Sequence, residues 1–245
     1  MNILLRNYIR IILKEDIHPE DLDGNKNPID WIEAAWQDPT HFGESDDPFA
    51  AMKFAAEELG LQLISIKDPG SSRLVYMLDN DKVLKLAIGQ KGLAQNELEA
   101  VAGQDPNVEK ILARVLDYSS DFAWLISQRV TPIFSEKEFE DHIGITWNEL
   151  RSILGAKEKK ELDVTKVPTR SKISSKEEIK PMPKNTSCLL GQAFIDYIRS
   201  FLTRYNDMLI GDIAKPGSWG ITNDGCLVLL DYGITKKKFD QLYKR

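Results

Sequence analysis

Residues 209–235 read LIGDIAKPGSWGITNDGCLVLLDYGIT. An apolar run that starts at Cys226 delivers one carboxylate, Asp231, and halts at Gly233. Asp and Gly are common turn residues, so the DYG triplet taken alone needs nothing beyond the end of a hairpin. The stretch also carries a second acid, Asp212 behind Gly211, and a loop, Pro216-Gly217-Ser218-Trp219. Between these, Asp224-Gly225 marks a tight turn joining two short strands, GITND and CLVLLDY. Two carboxylates roughly twenty residues apart, each leaving a hydrophobic element, can converge on one cleft.

Composition frames this stretch. The 245 residues, 42% hydrophobic and 29% charged, suffice for one large core or two lobes. A net charge of −6 and a pI near 5.3 argue against a protein whose main task is wrapping nucleic acid. Cys188 and Cys226 have no metal-type spacing, and the expectation is neither a disulfide framework nor a zinc site, with a reducing compartment as the simpler home. The opening MNILLRNYIRIILKED is interrupted by Arg6, Arg10 and Lys14 and is too short to span a bilayer, and no small-residue cleavage site follows it. A soluble, cytoplasmic protein without a membrane partner is expected.

Four regions follow along the chain. Residues 1–60 read as helical: Ile3, Leu4, Tyr8, Ile11 and Ile12 recur near a period of 3.6, WIEAAW is a short helix, and PFAAMKFAAEELG is a helix closed by Gly60. Residues 61–130 hold five runs of strand composition, LQLISI, SRLVYML, KVLKLAI, ARVLDYS and FAWLISQRV, with one helix, GLAQNELEAVAG, after the third. Residues 131–245 are mostly helical, with EKEFEDHIG, TWNELRSILG and GQAFIDYIRSFLTRYNDM as helices before the terminal hairpin. Within them a polar tract over 155–187 lacks apolar periodicity and reads as a mobile loop.

Three strands, a helix, two strands, helices and a hairpin ending in DYG: this order resembles the protein-kinase-like superfamily. The likeness is greatest to the aminoglycoside-phosphotransferase and choline-kinase branch and to small kinase-like proteins of phage genomes. It covers roughly residues 61–235. The resemblance implies a two-lobed α+β fold with a five-stranded N-lobe sheet plus one helix (61–130), a minimal helical C-lobe (131–245) and an N-terminal helical extension (1–60). It also implies Mg-ATP as cofactor. Lys85, mid-strand in KVLKLA, would hold the α and β phosphates and pair with a glutamate of the next helix. Glu97 and Glu99 both lie there, two residues apart and so on different faces; Glu99 is preferred. Gly70, Ser71 and Ser72 stand where the family covers the phosphates with a glycine-rich loop, although GxGxxG is poorly matched. In LISQRVTP, Gln128 and Val130 occupy the places where backbone groups meet adenine. Asp212 resembles the catalytic aspartate and Asp231 the Mg²⁺ ligand of the DxG motif.

The departures are specific. Five residues after Asp212, where the family supplies a metal-binding asparagine, stands Gly217; with a loop one residue longer, Ser218 takes that place. Ile210 replaces a frequent histidine. Only a dozen residues follow DYG, so an activation segment and a peptide-substrate platform do not fit. His18, His41 and His142 are scattered, and Trp31 and Trp36 read as packing residues. The expected function is therefore phosphoryl transfer from Mg-ATP to an unidentified protein or small-molecule acceptor. The alternative is a pseudokinase acting as an interaction or structural protein, in host cytoplasm or a virion if the phage likeness holds.

Overall fold

The computed structural model describes residues 27–42, 46–65, 72–158 and 188–243. The apolar periodicity at Ile3 to Ile12, residues Gly70 and Ser71, and all but the start of the polar tract lie outside them. The chain divides into two compact units. One holds the described residues up to Val101 with Arg114–Arg129 and Gln241–Tyr243, the other Ala102–Ala113 with Val130–Asp240. The chain crosses between the units after Val101, Ala113, Arg129 and Asp240, the third crossing lying inside the LISQRVTP stretch.

The first unit begins with two capped helices. Asn27 accepts the amide of Ile29 at 3.2 Å and starts α1, Pro28–Gln37. Asp47 accepts that of Phe49 at 3.0 Å and starts α2, Pro48–Glu58. In both, proline sits at the first helical position, where its missing N–H costs nothing. Gly60, at φ +68°, ends α2 as the sequence predicts.

Five strands follow: β1 Gln62–Ser65, β2 Arg73–Met77, β3 Lys82–Ala87, β4 Val115–Tyr118 and β5 Trp124–Gln128. They form one antiparallel sheet in the order β1-β2-β3-β5-β4, and helix α3, Gln90–Ala102, stands between β3 and β4 in the chain. Mixed α+β architecture with a five-stranded sheet is therefore observed.

Register decides what each face of the sheet carries, because side chains alternate along a strand. Leu74 faces Leu86 and Tyr76 faces Leu84 across β2–β3, while Leu84 faces Ile126 and Leu86 faces Trp124 across β3–β5. This face is apolar and shares one core with Ile29, Ile32, Met52 and Ala55 of α1 and α2. A boundary drawn at residue 60 therefore does not separate two cores: an apolar sheet face has to be covered, and these helices cover it. Trp31 and Trp36 join this packing, edge-on to Phe42 and Phe49.

The opposite face carries Arg73 across from Ala87, Val75 across from Lys85, and Lys85 across from Leu125. Helix α3 lies here, with Ala100 packed among Val115, Tyr118 and Leu125. Its first turn comes so near the sheet that a Cβ on Gly92 would stand 2.2 Å from the Ser72 carbonyl oxygen and 2.8 Å from the Cα of Ala87. Only glycine fits that approach.

The second unit holds β6 Thr131–Pro132, β7 Trp219–Ile221 and β8 Leu227–Leu229, paired antiparallel in that order. Its helices are α4 Glu136–Ile143, α5 Trp147–Glu158, α6 Gly191–Arg204 and α7 Ile210–Ile213, and it also holds the residues up to Asp240 of α8, Lys236–Tyr243. Ser135 caps α4, and Thr146 with Glu149 forms a reciprocal capping box for α5. The tract expected as a loop from 155 begins instead as the last turn of α5, through Glu158. Neither β6 nor α8 was legible: β6 is two residues long, with its proline tolerated on an edge strand. Phe139 gathers Trp147, Phe194 and Trp219 at ring separations of 4.8, 5.9 and 5.4 Å, an aromatic core for this unit. No described helix is long and apolar enough to cross a membrane.

One expectation is corrected outright. Cys188 and Cys226, read as unlinked thiols, form a disulfide that closes a segment of 38 residues. Two cysteines so far apart leave no pattern in the sequence, and with the bridge the cysteine argument for a reducing compartment falls away.

Two outcomes are expected. The bridge removes chain entropy from the unfolded state, so in urea a Cys188→Ser/Cys226→Ser variant should be less stable than the oxidised protein by about 4 kcal/mol on the loop-closure relation. Tyr76 is fully buried, and burial, aided by the Glu57 carboxylate, pushes its hydroxyl up to about 12 from an ordinary 10.0. A raised folded-state value means stability present below pH 10 and lost as pH rises toward 12. Tyr76→Phe should abolish that alkaline loss, measured by denaturant midpoints across this range.

Candidate functional site

Each unit places part of the expected constellation. In the first, Lys85 lies on β3 with its side chain on the α3 face, 6% exposed. Its Nζ donates to Glu99 Oε2 at 2.6 Å, and Glu99 is 2% exposed. The choice between Glu97 and Glu99 is thus decided by helix geometry. Gly92, Asn96 and Glu99 stand at i, i+4 and i+7 and form one stripe, which α3 turns to the sheet. Glu97 falls off that stripe and is only half-buried. Beside Glu99 on the helix, Leu98 and Ala102 are buried, whereas Val101 is 54% exposed.

Two residues unforeseen in the sequence join the pair. Arg73, first residue of β2, brings Nη1 to 2.8 Å from Glu99 Oε1 and donates to Asn96 Oδ1 at 3.3 Å. Asn96, fully buried, donates to the Phe122 carbonyl at 2.8 Å. That carbonyl belongs to the β4–β5 turn, where Phe122 adopts φ +63°, an unusual state for a bulky residue. Glu99 therefore receives a cation on each oxygen. Burying these charges is costly in isolation, and their mutual contacts offset the loss of water. Period-two spacing on the strands could have exposed Arg73: it shares a face with Val75, which stands opposite Lys85. The i, i+3 spacing of Asn96 and Glu99 was a second available signal.

The residues expected to cover phosphate are placed differently. Gly70 and Ser71 lie outside the described residues. Ser72 is described, and its hydroxyl donates to Gln95 Oε1 of α3 while its carbonyl accepts the Ile88 amide at 3.0 Å. The Gln128 amide donates to the Arg114 carbonyl at 2.8 Å, so a donor role toward adenine is closed to it. Arg129 likewise donates to Asp81 at 2.7 Å. Val130 opens the second unit, partly buried.

In the second unit, the loop after Leu209 is clamped at both ends onto the DYG segment. At one end the Leu209 amide donates to the Ile234 carbonyl at 3.1 Å, and Met208 bridges to Thr235. At the other the Ser218 carbonyl accepts the amides of Leu230 at 2.8 Å and Asp231 at 3.3 Å. Inside the clamp, Trp219 is buried and its Nε1 donates to the Ile213 carbonyl at 2.8 Å. Asp212 lies on α7 within this clamped loop; its side chain is outside the described residues. Asp231 follows β8 by two residues and is half-buried, and one carboxylate oxygen accepts the Gly233 amide at 3.3 Å. Gly233 has φ +71°, which glycine supplies without strain. The turn chemistry that the DYG triplet allows is thus present, on a segment also tied to the Asp212 loop.

The fit to Mg²⁺ is one of donor type. Mg²⁺ takes oxygen ligands, commonly one or two carboxylates completed by phosphate and water, so Asp231 with Ser218 is a chemically suitable pair. Ser218 is buried, at 6% exposure. Among the described residues no group of three or more His, Cys, Asp and Glu side chains is arranged to hold a metal. His41 pairs with Asp38 at 2.9 Å and His142 meets the Glu138 carbonyl at 2.8 Å, both local contacts.

Compared with known proteins, the chain matches no family model, no curated protein and no solved structure.

Removing one member of a buried ion cluster strands its partners. Glu99→Gln should cost about 3 kcal/mol of stability, whereas Glu97→Gln should change it by less than about 0.5 kcal/mol. Paired urea titrations of the two variants check this.

Proposed function

We propose that this chain is a kinase-like protein that binds Mg-ATP and transfers its terminal phosphoryl group to a hydroxyl acceptor. The observation that carries the reading is the buried Lys85–Glu99 pair on a strand and helix in the order expected for such a protein. A strand lysine with 6% exposure is an expensive group to keep, and holding a phosphate oxygen is a task that matches its position and charge. Glu99 aims the ammonium, which meets the nucleotide phosphates. In the second unit, Asp231 would hold a magnesium ion, which would supply charge neutralisation to a bound phosphate chain. Asp212 orients the acceptor hydroxyl and takes its proton as the oxygen attacks the γ-phosphorus and ADP departs.

A pseudokinase is the second reading, favoured by two observations. Gly217 stands in place of the family's metal-binding asparagine, and the Ser72 hydroxyl is engaged by Gln95. In that case the same scaffold holds a protein partner and no phosphate moves.

Calorimetric titration with ATP and Mg²⁺ separates these readings. Metal-dependent binding by the wild type, weakened at least tenfold in a folded Asp231→Asn variant, supports the first, since tenfold corresponds to about 1.4 kcal/mol. A folded wild type that gives no heat with Mg-ATP contradicts it and favours the second.

A further inference from the structure

We infer that Arg73 is a positioning residue, which fixes the Glu99 carboxylate and through it the direction of the Lys85 ammonium. The inference builds on the proposed nucleotide site, although its geometry stands apart from that reading.

A glutamate side chain has three rotatable bonds, and a single ion pair with a flexible lysine does not fix it. Here the two carboxylate oxygens are divided between two cations. Oε2 receives Lys85 Nζ at 2.6 Å and Oε1 lies 2.8 Å from Arg73 Nη1. Arg73 is itself held, because the same nitrogen donates to Asn96 Oδ1 at 3.3 Å, one helical turn before Glu99. Asn96 is anchored in turn on the Phe122 carbonyl. Through this one nitrogen Arg73 ties β2 to α3 at two consecutive turns, by an ion pair to Glu99 and a hydrogen bond to Asn96. Gly92 lets the start of the same helix lie against the carbonyl of Ser72, the residue before Arg73. A shift of α3 that withdrew Glu99 from Lys85 would have to break the Arg73 contacts as well.

This reading makes a demand that simple structural support does not. If Arg73 acts through Glu99, its loss should free Lys85, and should do so only while Glu99 is present. The full-length protein is treated with an amine-acylating N-hydroxysuccinimide ester at pH 8, and the rate at Lys85 is followed by peptide mass spectrometry in wild type, Arg73→Met, Arg73→Lys, Glu99→Gln and the Arg73→Met/Glu99→Gln double variant. Folding is checked by circular dichroism. Arg73→Met should raise the Lys85 rate at least fivefold relative to Lys53, an exposed internal standard. Arg73→Lys should recover part of the protection, and the double variant should react no faster than Glu99→Gln alone.

An unchanged Lys85 rate in folded Arg73→Met overturns the inference, as does an equal increase with and without Glu99. Should Arg73→Met fail to fold, Arg73→Lys carries the test: a Lys85 rate equal to wild type together with unaltered α3 protection in hydrogen exchange overturns it. Mg-ATP affinity measured on the same variants keeps the two claims apart. A faster Lys85 with tenfold weaker nucleotide supports both. A faster Lys85 in a protein whose wild type binds no nucleotide supports the positioning role and contradicts the proposed function.

Discussion

One buried carboxylate organises the first unit. Glu99 is the only acid that the packing of α3 presents to the sheet face bearing both Arg73 and Lys85 among the described residues, and each of its oxygens is given to one of them. Cations on a covered sheet face are tolerable when an anion and hydrogen-bonding partners replace water, and α3 supplies both in Glu99 and Asn96. The close approach at Gly92 sets the depth of the helix, and the apolar pack around Ala100 continues the contact along it. Polar and apolar contacts thus agree on one placement of the helix. The other sheet face is ordinary core, sealed by α1 and α2.

The second unit is governed by a different constraint, the clamping of one loop. Hydrogen bonds at Leu209 and at Ser218 tie both ends of the loop to the segment that contains Asp231. Trp219 reaches back to Ile213 inside it and also enters the aromatic core with Phe139 and Phe194. A disulfide joins the approach to α6 with the turn before β8. Asp231 stands on this tied segment, and one of its carboxylate oxygens accepts the Gly233 amide.

Much of this was legible because the periodicities are clean. The five strands of the sheet, α3 between the third and fourth, and the terminal hairpin follow from alternation, helical spacing and the Asp224-Gly225 turn. Gly60 closes its helix as expected, by local chemistry. What escaped depends on tertiary partners. Arg73 looks like a strand-edge cation until register places it beside Lys85, and Asn96 looks like a surface amide until α3 is docked. Val101 is an apolar residue that the helix turns to solvent, at 54% exposure. Strand β6 is too short to leave a pattern, and the Cys188–Cys226 pairing is a long-range contact that no spacing announces. In the Ser72–Gln95 contact, a hydroxyl expected to face phosphate instead secures the helix.

The most direct test of the central claim, that Lys85 meets the phosphates of a nucleotide, is labelling with an acyl-phosphate derivative of ATP, which acylates a lysine held beside its phosphate chain. After digestion, mass spectrometry reports which lysines carry the tag and whether excess ATP with Mg²⁺ protects them. Lys85 should be labelled, and ATP should suppress this labelling at least tenfold. Tagging confined to exposed lysines such as Lys53 and Lys82, insensitive to ATP, with Lys85 unmodified in the folded protein, would contradict it.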